Sequence, residues 1–79
     1  MTVKIHDTDS DQTTEHQING NLSDDAWDLV KAADGALGVA GDMPYSELVI
    51  AKDIRAKNTR KIVVNWRNGR GSTGTYTFR

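Results

Sequence analysis

Apolar and polar positions alternate at both ends of the chain and follow a helical spacing between them. Val3 and Ile5 alternate with Thr2, Lys4 and His6, which predicts a short strand over 2–6. Asp7 to Gln12 is a polar turn, because Asp and Ser side chains bond to nearby backbone and favour bends. Thr13 to Ile18 predicts a second strand, rich in threonine, that closes an N-terminal hairpin and ends at Asn19-Gly20.

The spacing then changes. Ala26, Leu29, Val30 and Ala33 recur at i, i+3, i+4 and i+7 and predict a helix over about 24–34. Ser23 is the expected N-cap, with Asp24 and Asp25 at the positive end of the helix dipole. Leu22 and Trp27 fit a hydrophobic staple that places Trp27 in the core, and Gly35 is the expected stop. Ala36 to Gly41 reads as a glycine-spaced connection without a phosphate-loop fingerprint.

Residues 43–57 carry two signals. Asp42 as cap, Pro44 in the first turn, and Tyr45, Leu48, Val49 and Lys52 on one side favour a second helix, with an Asp53–Lys57 pair at i, i+4. The run Leu48-Val49-Ile50 also suits a buried strand. Helix is the expectation.

The C-terminal hairpin is set by parity. Lys61–Arg67 and Thr75–Arg79 read as strands joined by the glycine-rich stretch 68–74. A two-residue Asn-Gly turn would separate Ile62, Val64 and Trp66 from Tyr76 and Phe78. An odd loop centred near Arg70 puts all five on one face, since a one-residue slip inverts every side chain. Lys61, Val63, Asn65, Arg67, Thr73, Thr75, Thr77 and Arg79 then share the opposite, basic face. The expected fold is a small α+β domain spanning 1–79: an N-terminal β-hairpin, one or two helices, and a C-terminal β-hairpin, with an antiparallel sheet packed on helix.

Composition changes this picture little. With 37% hydrophobic and 27% charged residues in 79, the chain is an ordinary folded one. It holds no cysteine, which excludes disulfides and thiolate metal sites and points to a reducing, cytoplasmic setting. The first residues do not form a signal peptide, and no apolar run is long enough to cross a bilayer, so no membrane partner is expected.

Charge changes it more. Residues 1–51 carry two bases against ten acids, a net of −8, while residues 52–79 carry eight bases against one acid, a net of +7. Such asymmetry signals either an electrostatic partner or attraction between the two halves.

Motifs for chemistry are weak. Asp7, Asp9 and Asp11 open like a calcium loop, but Gln12 and Ile18 stand where its glycine and bidentate glutamate belong. His6 and His16, facing each other across the hairpin with Glu15 nearby, are a zinc candidate without a standard spacing, and exposed strand histidines are the expectation. No serine sits in a nucleophile-elbow context. The sequence therefore predicts no enzyme, no cofactor and no metal.

The leading expectation is a small binding protein that docks on another macromolecule, above all a protein, as inhibitors, immunity proteins and phage anti-defence proteins do. Its candidate surfaces are the acidic set Asp7, Asp9, Asp11, Asp24, Asp25 and Asp28 and the basic hairpin Lys61, Arg67, Arg70 and Arg79. The alternative is a nucleic-acid-binding module using that hairpin.

Overall fold

A computed structural model of the chain describes residues 1–40, 49–69 and 71–79. Strands β1 (Thr2–Asp7) and β2 (Gln12–Gln17) form the N-terminal hairpin, and helix α1 (Ala26–Ala40) follows. Strands β3 (Val49–Lys57), β4 (Ile62–Asn68) and β5 (Thr73–Phe78) complete a five-stranded sheet of order β2-β1-β5-β4-β3. All four strand pairs are antiparallel. The first and last strands pair near the middle of the sheet, and α1 carries the chain from one edge strand to the other.

The hairpin parity holds. Ile62 pairs with Phe78, Val64 with Tyr76 and Trp66 with Gly74, so the register is symmetric about position 70. Asn68 N–H donates to the Ser72 carbonyl at 3.0 Å, which leaves a three-residue loop. Gly71, at φ +82°, takes the left-handed backbone such loops require. Arg70 itself lies outside the described residues.

One sheet face and one helix stripe build the core. Val3, Ile5, Ile62, Val64, Trp66, Tyr76 and Phe78 from the sheet meet Ala26, Leu29, Val30 and Ala33 of α1, with Ile18 closing one end. Tyr76 and Phe78 stack at a centroid separation of 6.3 Å.

Three expectations about α1 are corrected. The cap is Asp25, whose Oδ1 accepts from Trp27 N–H at 2.8 Å, not Ser23. Residues 21–24 form a turn of their own instead, in which the Asn21 side chain accepts from the Ser23 amide and hydroxyl. Gly35 does not stop the helix. A mid-helix glycine costs only about 1 kcal/mol, and Ala36 beyond it packs on the core. With α1 starting at Ala26, Trp27 is its second residue, not the fourth that a staple with Leu22 requires, and beside the buried stripe its side chain is 42% exposed. Trp27→Gln is therefore expected to lower stability by less than about 1 kcal/mol in a urea titration, against several for Trp66→Gln, whose ring is buried.

Val49–Lys57 is a strand, not the second half of a helix. Its backbone groups bond to β4, and β-branched Ile54, opposite Val64, suits that pairing. Register shifts between Val49 and Ala51 and between Ile54 and Ala56 break the two-residue alternation, which is why the segment resembles a helical pattern. The expected Asp53–Lys57 helical pair gives way to a bond from Lys57 Nζ to the Asp24 carbonyl at 3.1 Å. The proposed start of that helix, Asp42, Pro44, Tyr45 and Leu48, lies outside the described residues.

Candidate docking face

The alternation that buries one face of the sheet leaves the other uncovered among the described residues. On β5, Gly74, Tyr76 and Phe78 point to the helix, so Thr73, Thr75 and Thr77 point away. Cross-strand partners share a face, and the registers fix what lies beside each threonine. Thr77 has Lys4 on one side and Val63 on the other; Thr75 has His6 and Asn65; Thr73 has Arg67. One strand further out stand Glu15 opposite Lys4, Asp53 opposite Asn65, and Ala51 opposite Arg67. Arg79 follows Phe78 and exchanges backbone hydrogen bonds with Thr2, which extends the face at one end.

Four shallow depressions with shared lining residues lie side by side along this face. Arg55, Asn65, Arg67, Thr73 and Thr75 line a groove of about 450 Å³, floored by Gly74 and the edge of Trp66. Arg55 and Thr75 also line the next one, with Lys61 and Thr77. Lys61 leads to a third, shared with Arg60 and Arg79. Arg79 and Thr77 lead to the fourth, with Thr2 and Lys4. Seven cations thus border these neighbouring depressions: Lys4, Lys52, Arg55, Arg60, Lys61, Arg67 and Arg79. Glu15 and Asp53 are the acids bordering them. Lys52 is paired with Asp34, and none of the other six forms an ion pair within 4.0 Å among the described residues, although Lys4 stands opposite Glu15.

Of the basic hairpin predicted from sequence, Lys61, Arg67 and Arg79 meet on this face. Lys4, Arg55 and Arg60 join them unforeseen. Lys4 carries a signal in the sequence, since it alternates with Val3 and Ile5. Arg55 follows a register shift and Arg60 sits in the β3–β4 turn, where alternation gives no guidance.

The acidic candidates are not gathered. Asp7, Asp9 and Asp11 occupy the β1–β2 turn, whereas Asp24, Asp25 and Asp28 lie near the start of α1, toward the other end of that hairpin. Several have local work. Asp7 Oδ1 accepts from Asp9 N–H at 2.9 Å, Asp24 Oδ2 accepts from Asn21 N–H at 3.1 Å, and Asp25 caps the helix. Attraction between the acidic and basic halves shows as one ion pair among the described residues, Lys52 Nζ to Asp34 Oδ2 at 2.6 Å.

The histidines separate. His16 pairs with Val3 in register and so lies on the helix side, while His6 pairs with Thr13 on the open side. The expectation that they face each other is wrong, because their positions differ in parity. Among the described residues no group of three or more His, Cys, Asp or Glu could hold a metal. His6 Nδ1 lies 3.0 Å from Thr13 Oγ1, and Nε2 lies 3.5 Å from Asp11 Oδ1. The Asp11 side chain is 92% exposed, so water screens this contact. No helix among the described residues is long and apolar enough to cross a membrane. Comparison of the chain with protein-family models, with curated proteins and with solved structures gave no match.

Proposed function

We propose that this chain is a non-catalytic binding protein that docks on another macromolecule through the open face of its sheet. The observation that carries this reading is the division of labour between the two faces. One is filled by the core, and the other holds neighbouring depressions bordered by six cations that form no ion pair among the described residues, with threonine hydroxyls and Asn65 between them. Solvated charges scattered at random would discourage edge pairing and nothing more. Cations concentrated along one face raise the local concentration of an anionic partner despite a net charge of −1.

A heparin oligosaccharide titrated against ¹⁵N-labelled protein tests the face directly. Amide shifts are expected at Asn65, Arg67, Thr75 and Thr77 and not along α1. Shifts confined to α1, or none at low salt, would remove the reading.

A second reading, docking of a basic protein on the acidic side, is favoured by Trp27, which stands 42% exposed on the first turn of α1 close to Asp28. Exposed tryptophans are enriched among the residues that anchor protein interfaces. An inhibitor, immunity or anti-defence role would be the finer form of that reading. A cytoplasmic setting fits a chain without cysteine.

A further inference from the structure

The chemistry of this face narrows the partner. A protein interface of ordinary affinity needs aromatic or aliphatic anchors in its centre. Here the apolar contributions are small: Val63 and Ala56 in one depression, Ala51 in another, and only the edge of a Trp66 that is 2% exposed. An extended peptide would add to a sheet edge, where backbone groups are free to pair, and not cross a face whose backbone is already bonded within the sheet.

What the face does offer is repeated positive charge with hydroxyl donors between. Neighbouring depressions share cations: Arg55 lines the first and second, Lys61 the second and third, Arg79 the third and fourth. Arg67 lines the first and Lys4 the fourth. Residues two apart on one face of a strand are about 6.6 Å apart and neighbouring strands about 4.8 Å. Thr73, Thr75 and Thr77 therefore place a hydroxyl every step along β5, between the cations. Arg, Lys and Thr in such an array are the side chains that contact phosphate oxygens. A polyanion with charge repeated along its length can meet several of these cations at once, whereas a compact carboxylate cluster meets only one or two.

Base recognition is a different matter. Single strands are held by bases stacked on exposed aromatic rings. The buried core takes Trp66, Tyr76 and Phe78, and Trp27 lies on α1, so the described open face has no such platform. We propose that this face binds the phosphate backbone of a duplex nucleic acid without reading its sequence. This rests on the docking-face reading above and gives it a ligand.

Fluorescence anisotropy with a labelled 20-base-pair DNA duplex, at several salt concentrations, tests the assignment. Each phosphate neutralised contributes about −0.9 to the slope of log K against log salt, so six cations give a slope near −5. Affinity should then fall roughly 1,000-fold between 50 and 200 mM salt. Arg55→Gln with Arg67→Gln should shallow the slope by about 2, whereas Lys31→Gln on α1 should leave it unchanged. These are exposed side chains, and circular dichroism of each variant confirms that it folds.

No duplex binding at 50 mM salt, or equal loss from the Lys31 variant, overturns the proposal. Binding of the single strand as tight as the duplex overturns its duplex part. Heparin shifts at the face without duplex binding would leave the docking face standing and remove the nucleic acid; silence from both probes would remove both.

Discussion

Gly74→Ala is expected to destabilise the protein by about 3 kcal/mol or more, although it adds one methyl group in a β-strand. On β5, Gly74 occupies a core-facing position where the alternation with Thr73 and Thr75 calls for an apolar side chain. Two neighbours have taken that space. The Trp66 ring, paired with Gly74 in register, lies across it, and the His6 carbonyl of β1 closes on the other side; a Cβ would collide with both.

A flexible side chain could retreat, but the carbonyl belongs to a backbone tied into the β1–β5 ladder through the pairs His6–Thr75 and Asp7–Gly74. Overpacking a core typically costs about 1–3 kcal/mol through off-rotamer side chains and backbone shifts, occasionally more. Here a central strand pair must separate as well, so the cost lies at or above the upper end. A domain of 79 residues has roughly 4–12 kcal/mol of stability in all. The loss should therefore appear as a large fall in the urea midpoint with little change in slope. Gly69→Ala is the control, since a Cβ there would meet nothing within 4 Å and the backbone is not left-handed. A Gly74→Ala loss below about 1 kcal/mol would mean that the strands yield more readily than their register implies.

The parts of this fold that can be read in the sequence are those decided by a binary choice. Between Ile62–Trp66 and Tyr76–Phe78 only an odd loop keeps five large side chains on one side, and that single parity fixes the register, the core face and the basic face together. The stripe Ala26, Leu29, Val30 and Ala33 is as clear, because no strand period fits it. The helix start is not, because Ser23, Asp24 and Asp25 are all competent caps. What decides among them is Asn21, whose side chain engages Ser23 and leaves Asp25 to cap.

Strand β3 is hidden for a different reason. Its identity comes from β4, and its two register shifts remove the alternation that would reveal it. The charge asymmetry is plain in the sequence, but where the charges go is not. Lys4 and Arg79 lie at opposite ends of the chain and share one depression only because β1 pairs with β5.

Asp34 carries the other large expected effect, because it ties the helix to the sheet at two points. Its Oδ1 accepts from the Tyr76 hydroxyl at 3.0 Å, and its Oδ2 lies 2.6 Å from Lys52 Nζ. Tyr76 is fully buried, and the Asp34 and Lys52 side chains are only 22% and 24% exposed, so water competes weakly for these contacts. A hydrogen bond to a charged group contributes about 1.5–3 kcal/mol. The ion pair adds on the order of 1 kcal/mol after allowance for its remaining exposure. Asp34→Ala should therefore cost about 2–4 kcal/mol by urea titration.

A double-mutant cycle separates the two arms, since Tyr76→Phe removes the hydroxyl and Lys52→Met removes the charge while each keeps its bulk. With Asp34→Ala as the common partner, the tyrosine cycle should show a coupling of about 1 kcal/mol or more and the lysine cycle about half that. The order follows from burial: the phenol lies in the core, whereas the ammonium lies on an edge strand within reach of solvent. Equal couplings would place the lysine in a drier site than its exposure indicates. An Asp34→Ala cost below about 0.5 kcal/mol would show that α1 is held by its apolar stripe alone.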